Sequence, residues 1–465
     1  MSIHRLFAFI RGVAIAVAAV LATCVMPATA QPLSTIPGLS PVQQPTATAV
    51  NTLCPAMAQA GIVLDPNGTP VQRLFASCTA LILTAAGSPT GGLGISTDQL
   101  RLAIQEIAPV QNGAQKQMTV ESARLNLVNA RLLDLRAGRQ GFTVSGNGVE
   151  QPAQSRTRTA ASAVSGKGGG AAADAPLGGP LGGFLNVAYS WGDVDQTDVQ
   201  EPYKYHNYTV VGGLDYRVSP EFVVGGAISY SDTRSNFEQN FGNVKARTTS
   251  FVGYGTYYVG VWYVDGFASY GDVKYDSVRN IVVPSNNPAV RGFNTSARSS
   301  PKGDEWSAAL GIGRTFALGG HSFAPVARLT YIRVKNKAFT EDEPNSGLGL
   351  SVSERSVTSL QSAIGGRLST AVSTTFGVVN PYLNAQWVHE FRNDSPSIIS
   401  KYVNDPFSTA FAIPTARPTR DYGVLAVGAT GTFPNDLAAF AQIGAAVGLR
   451  DQTNFGIVVG VRKQF

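Results

Sequence analysis

Three cysteines and four histidines are the residues of this chain best suited to redox, metal or nucleophilic chemistry, and their placement leaves little for them to do. The cysteines are Cys24, Cys54 and Cys78; the histidines are His4, His206, His321 and His389. No histidine lies between residues 31 and 205, so Cys54 and Cys78 have no imidazoles nearby in sequence to complete a four-ligand zinc site. The same gap excludes a Ser-His-Asp triad built wholly from that region, which also lacks a Gly-x-Ser-x-Gly elbow and a Gly-Asp-Ser-Leu block. Its carboxylates, Asp65, Asp98, Glu106, Glu121 and Asp134, are scattered with no paired acid and base. His206, His321 and His389 fall on alternating strand segments, where a lone histidine is structural far more often than catalytic. The expectation is a protein that is not an enzyme and needs no cofactor or metal. In an exported segment Cys54 and Cys78 read as a disulfide, closing a loop for which chain entropy gives about 3 kcal/mol. Two free buried thiols are the plain alternative.

Export is written into residues 1–30. His4, Arg5 and Arg11 accompany an apolar run over 13–25, and Ala28-Thr29-Ala30 supplies small residues for cleavage, so the mature chain is expected to begin at Gln31. The run is shorter than the roughly 20 residues a spanning helix needs. A lipoprotein signal at Cys24 would place Thr23, bulkier than the usual Gly, Ala or Ser, before the cysteine. Nothing downstream reaches 18 uninterrupted apolar residues. A membrane crossing would therefore be made by strands, which implies the outer membrane of a double-membrane bacterium.

Composition divides the remainder. All 16 Tyr and all four Trp lie at or beyond Tyr189, and every Cys lies before it. The net charge of +6 is modest, and no basic run is interleaved with aromatics, so nucleic acid is not an expected partner. Twelve segments from 183 onward alternate with a period of two: 183–191, 205–217, 221–230, 248–258, 261–275, 305–316, 322–335, 357–371, 379–392, 421–433, 436–449 and 454–465. In the last, Phe455, Ile457, Val459, Val461 and Phe465 share one face, while Gly456, Gly460, Arg462 and Gln464 share the other. That is the pattern of a strand between lipid and a wet lumen. The fourth segment can face either way. Connections after even-numbered segments are short (Ser219-Pro220, Gly319-Gly320, Pro434-Asn435). Those after odd-numbered segments are mostly long and polar, as over 276–304, 336–356 and 393–420. Residues 397–413 are assigned to a loop rather than a thirteenth strand. The fold expected is an all-β transmembrane barrel of 12 antiparallel strands, with both ends in the periplasm, preceded by a small, mostly α-helical N-terminal region.

Upstream, residues 31–50 are rich in Pro, Thr, Gln and Ala and read as disordered. Thr69-Pro70 opens a helix to about Ala86, Ser96 and Gln99 form a capping box for a shorter one ending at Pro109, and a longer helix is predicted over 119–137. Residues 141–181 form a flexible Gly/Ala/Ser-rich linker. The domains are thus 1–30, 31–140, 141–181 and 182–465.

The order Gly183-Phe184, Val211-Gly-Gly-Leu-Asp-Tyr-Arg217, Val223-Val-Gly-Gly-Ala-Ile-Ser-Tyr230, Trp262-Tyr-Val-Asp-Gly-Phe-Ala-Ser-Tyr270, Asn380-Pro-Tyr-Leu-Asn-Ala-Gln-Trp-Val-His-Glu-Phe391 and terminal Phe465 resembles the β-domain of the classical autotransporters (type V secretion). The resemblance covers roughly residues 180–465, and its most specific part is the segment from Pro381 to Phe391. It implies a translocator in outer-membrane lipid, working with Sec export and the barrel assembly machinery, monomeric as a barrel, that brings its own upstream segment to the cell surface. Phe465 resembles the C-terminal signal read by that machinery, although Lys463 departs from it. The predicted 119–137 helix resembles the family's pore-threading helix, and Arg124, Arg131 and Arg136 would then pair with lumen carboxylates such as Asp215, Asp265 or Glu390. The alternative is a helix packing on Leu100, Ile104 and Ile107 upstream, with the linker in the pore. A short, non-catalytic passenger displayed by its translocator is the leading functional expectation. A pore with a periplasmic helical extension and a surface adhesin are the other two.

Overall fold

The computed structural model describes residues 32–109, 128, 132, 180–434 and 437–464. The signal segment 1–30, nearly all of the linker, Arg124, Arg131, Arg136 and Phe465 lie outside the described residues. Twelve antiparallel strands form the barrel: β1 (Leu181–Val194), β2 (Tyr203–Arg217), β3 (Phe222–Phe237), β4 (Gly242–Val259), β5 (Trp262–Val283), β6 (Lys302–Arg314), β7 (His321–Asn336), β8 (Arg355–Thr370), β9 (Gly377–Glu390), β10 (Asp421–Phe433), β11 (Leu437–Val447) and β12 (Asn454–Gln464). Each pairs with its successor. β12 returns to β1 from Gly182↔Gln464 to Trp191↔Phe455, and this closure removes the open edges.

The two-residue period decides which side chains meet lipid. On β2, Tyr208, Val210, Leu214 and Tyr216 are exposed on the outer face, while Thr209, Val211 and Asp215 are buried inside. On β12 the outward row is Phe455, Ile457, Val459 and Val461. β4 carries apolar residues on both faces, which is why alternation alone leaves its register open. Phe251, Tyr257 and Val259 point out, and Val252, Tyr254 and Tyr258 point in. Outward aromatics gather at both ends. Tyr189 lies against Tyr208 at 4.6 Å and Tyr270 against Trp306 at 4.7 Å toward the loops, while the Arg314 guanidinium sits over Trp262 and Phe316 at the turns. Such aromatics prefer the two membrane interfaces.

Above the barrel on the loop side, the segments expected to be plain loops are built. β5 runs on to Val283 and pairs with Phe293–Ser299. Residues Phe339–Thr340, Leu350–Val352, Ile398–Tyr402 and Phe411–Ile413 form a separate four-stranded sheet, so 397–413 stays outside the barrel wall. Against this platform packs a helical domain of α1 (Gln43–Gln59), α2 (Pro70–Ala85) and α3 (Thr97–Glu106). Thr69 and Gln72 cap α2 reciprocally, with Pro70 at its first position, and Ser96 and Gln99 do the same for α3.

Residues 32–50 correct the expectation of disorder. They form the turn Leu33–Thr35 and the first half of α1. Average polarity hides a stripe at helical spacing, with Val42, Ala49, Val50, Leu53 and Met57 all buried. A stripe that finds a partner surface folds despite a composition that reads as disordered.

Candidate functional site: a capped and filled pore

The helical domain and the loop platform share one apolar core. Leu33, Val50, Leu53, Met57, Leu74, Leu81, Ile104 and Ile107 are buried together with Ile281, Val283, Leu348, Leu350, Ile398, Phe411 and Ile413. Backbone and side-chain hydrogen bonds tie the two sides. Asn286 N donates to Leu93 O at 2.8 Å, Asn287 Nδ2 to Gly92 O at 2.8 Å, and Ser77 Oγ to Ser346 O at 2.9 Å. At Gly347, where φ is +75°, the chain passes so close to α2 that a Cβ would lie 2.6 Å from Leu74 N and from Pro70 O. Only glycine meets both demands.

Arg279, near the loop end of β5, is the polar centre of the junction. It is 2% exposed. Its Nε donates to Glu341 Oε1 at 3.1 Å, Nη1 to Glu106 O at 2.7 Å at the end of α3, and Nη2 to Leu348 O at 3.0 Å as well as to Glu341 Oε2. Glu341 also accepts from Leu350 N at 3.0 Å. Glu106 Oε2 accepts from Val282 N at 2.5 Å, and burial pushes this carboxyl up to about 7, offset in part by that N–H and by the Arg279 charge. Glu343 goes the other way. Burial would raise it, but donors from Thr295 Oγ1 (2.6 Å), Asn345 N and Ser346 N hold it below the usual carboxylate range. One arginine therefore links a barrel strand, an outer loop and the helical domain, by an ion pair to the loop and a hydrogen bond to the helix end.

Beneath the cap, two upstream residues lie inside the lumen. Val128 and Leu132, helical and one turn apart, are 0% and 1% exposed and cluster with inward Phe184, Val211, Val223, Val252, Phe267, Ile332, Val334 and Val357 of the barrel wall. They do not belong to the core that holds Leu100, Ile104 and Ile107. Of the two placements open for this stretch, these two residues occupy the pore. Around them the inner wall is polar: Asn207, Thr209, Ser231 and Thr233 form a bonded ladder, Tyr254 Oη donates to Asp215 Oδ2 at 3.1 Å, and Ser250 Oγ to Glu305 Oε1 at 2.9 Å. Asp215 and Asp265 are buried groups of the inner wall. Glu390 is already satisfied by Leu360 N at 3.0 Å, Gln361 Nε2 at 3.1 Å, Arg392 N at 2.8 Å and the Ser359 hydroxyl, so it needs no arginine.

The other candidate residues separate. His206, His321 and His389 stand on β2, β7 and β9, and His389 Nδ1 lies 2.8 Å from Asp421 Oδ1 on the next strand, a local pairing. Cys54 of α1 and Cys78 of α2 are joined as a disulfide with Cα atoms 6.0 Å apart, both buried at the helix–helix contact. Intact-mass analysis of the non-reduced, alkylated protein should find neither cysteine carbamidomethylated; label on both would mean that the cell leaves them reduced.

Arg279, Glu106 and Glu341 carried no sequence signal, since no motif links positions 173 and 62 residues apart. The cap's footing did leave a trace: Ile281-Val282-Val283, Leu348 and Leu350 are apolar residues inside otherwise polar loops.

The model of the autotransporter β-domain family matches residues 183–444. Lipase 1 of Photorhabdus luminescens is 26% identical over 263 residues, 56% of this chain, and the match spans 38% of that relative's length. Among solved structures, the translocator domain of the autotransporter NalP from Neisseria meningitidis matches with a TM-score of 0.49 at 19% identity, covering 62% of this chain and 89% of its own. The β domain of the Bordetella autotransporter BrkA matches with a TM-score of 0.43 at 19% identity, over 61% and 99%.

Proposed function

The chain belongs to the autotransporter β-domain family, and from that premise we propose that it anchors its own short, non-catalytic N-terminal domain at the cell surface as a cap on its barrel. The barrel itself resides in the outer membrane of a Gram-negative bacterium. The reading is carried by one observation: the order of the chain through the barrel. Residues 32–109 pack on the loop end, Val128 and Leu132 lie in the lumen, and β1 starts at the turn end beside the last residues of β12. That order supports a polypeptide threaded through its own pore. Sec export, the assembly machinery reading Phe465, and a monomeric barrel are its partners and state.

The cap segment carries no histidine and its two cysteines are joined to each other, and we read it as a displayed domain. The lipase name belongs to the Photorhabdus relative, and this chain covers little more than a third of that protein. Epitope tags test the reading. Tags within 196–200 and 404–408, and antibody against residues 51–109, should label intact cells, while tags at 219–220 and 319–320 should label only after permeabilisation. Surface labelling of the turn tags would invert the topology and end the proposal.

A further inference from the structure

On the barrel's outer face, β4, β5 and β6 change character at the same level. Going toward the loops, β5 presents Trp262, Val264, Ala268 and Tyr270 outward, then Asp272 and Lys274; β6 presents Leu310 and Trp306, then Asp304 and Lys302; β4 presents Phe251 and Thr249, then Arg247. The register makes the last of these a single row, because Arg247 is directly opposite Lys274 and Lys274 directly opposite Lys302. Three cations side by side on one face of a sheet repel each other. Lys337, whose N–H donates to Lys302 O at 2.9 Å, adds a fourth. Arg247 is paired with Asp276, and Lys337 with Asp304 at 3.1 Å. Among the described residues Lys274 and Lys302 have no ion-pair partner. Asp272, directly opposite Asp304 and one step nearer the aromatics, has no ion-pair partner among the described residues. The four cations line a groove of about 470 Å³ together with Tyr230, Thr249 and Asp272.

Height decides what this row meets. From Trp262 at the turn-end aromatic row to Lys274 is twelve residues, which at about 3.3 Å per residue and a tilt of roughly 40° is a rise of about 30 Å. The apolar band of such a barrel is only about 25 Å tall. The row therefore stands just beyond the acyl chains on the loop side, at the depth of lipid headgroups and above the Tyr270–Trp306 contact.

We propose that Arg247, Lys274, Lys302 and Lys337 form a binding site for the phosphates of a multiply phosphorylated lipid of the outer leaflet. The like-charge row is the reason. An anion seated across it turns a repulsive arrangement into an attractive one, and the aromatic contact just below accepts the lipid's acyl chains. The assignment to the outer leaflet rests on the loop end facing outward; the phosphate chemistry does not.

Native mass spectrometry of the purified full-length protein, refolded in detergent, provides the test. The probes are diphosphoryl lipid A, its dephosphorylated form and inorganic pyrophosphate. Wild type should retain diphosphoryl lipid A and lose the dephosphorylated form. The double variant Lys274→Gln/Lys302→Gln should weaken retention about 25-fold, at roughly five-fold per lysine near an anionic surface, whereas Lys401→Gln on the separate four-stranded sheet should not change it. The double variant should also melt no lower than wild type without lipid, because it removes repulsion; if it fails to show heat-modifiable mobility, Lys302→Gln alone takes its place. Equal retention of both lipid forms would overturn the site. Occupation by pyrophosphate that lipid A cannot displace would overturn the lipid as its source. None of these outcomes depends on which side the loops face, so the epitope tags report independently on the display reading.

Discussion

Replacing Arg279 with alanine should undock the N-terminal cap and leave the barrel folded. The substitution strips Glu341 of its buried counter-ion and removes donors from the carbonyls of Glu106 and Leu348. Breaking one side of a buried pair costs about 3–5 kcal/mol, a shift of roughly two to four orders of magnitude in the docking equilibrium. Barrel strands below Arg279 keep every ladder bond, so heat-modifiable mobility should persist while residues 32–109 become open to protease on intact cells. The double variant Arg279→Met/Glu341→Leu should restore most of the protection, since removing both charges leaves neither one buried alone. Unchanged protection in the single variant would show that the apolar core alone holds the cap.

The same junction makes docking sensitive to acid. Glu106, raised to about 7 when docked, holds its proton more tightly there than in an exposed helix end, where a carboxyl titrates near 4.5. That contribution is fully present below about 4.5 and is lost as pH climbs through 7, so cap protection should strengthen on acidification across this window. Glu106→Gln, permanently neutral, should flatten the profile. A wild-type profile that is already flat would remove Glu106 from the account.

What the chain shows in one dimension is the part governed by local periodicity. Phe455, Ile457, Val459 and Val461 declare a lipid face by spacing alone, and Thr69-Pro70 with Gln72 declares a helix start, because each signal lies within one element. The register of β4 stayed ambiguous because Tyr254 and Tyr258 fill the lumen with the same residue type that Tyr257 shows to lipid. The platform was harder still. Val283, Leu350 and Phe411 become a core only when three loops and a helical domain converge, and no window along the chain contains them together. Residues 32–50 follow the same logic: their stripe is sparse enough to read as disorder until the surface that buries it is known.

Deleting residues 119–140 should turn a quiet barrel into a persistently conducting one in planar bilayers. The segment includes Val128 and Leu132, which are buried inside the lumen among Phe184, Val211, Val252 and Ile332. The deletion leaves enough chain to join cap and barrel: 110–118 and 141–179 remain, and even a few dozen extended residues at about 3.3 Å each exceed 100 Å. A substitution separates loss of the plug from loss of length. Val128→Asp with Leu132→Asp keeps the chain intact but buries two carboxylates in an apolar cluster, at a cost of several kcal/mol for each unpaired charge. Both variants should open the pore while cap protection on cells, which rests on the separate core around Leu53 and Ile104, stays as in wild type. An open, large conductance in the wild-type protein that neither variant alters would mean that the lumen is an aqueous path in the native state. The channel reading would then replace that of a translocator closed by its own polypeptide.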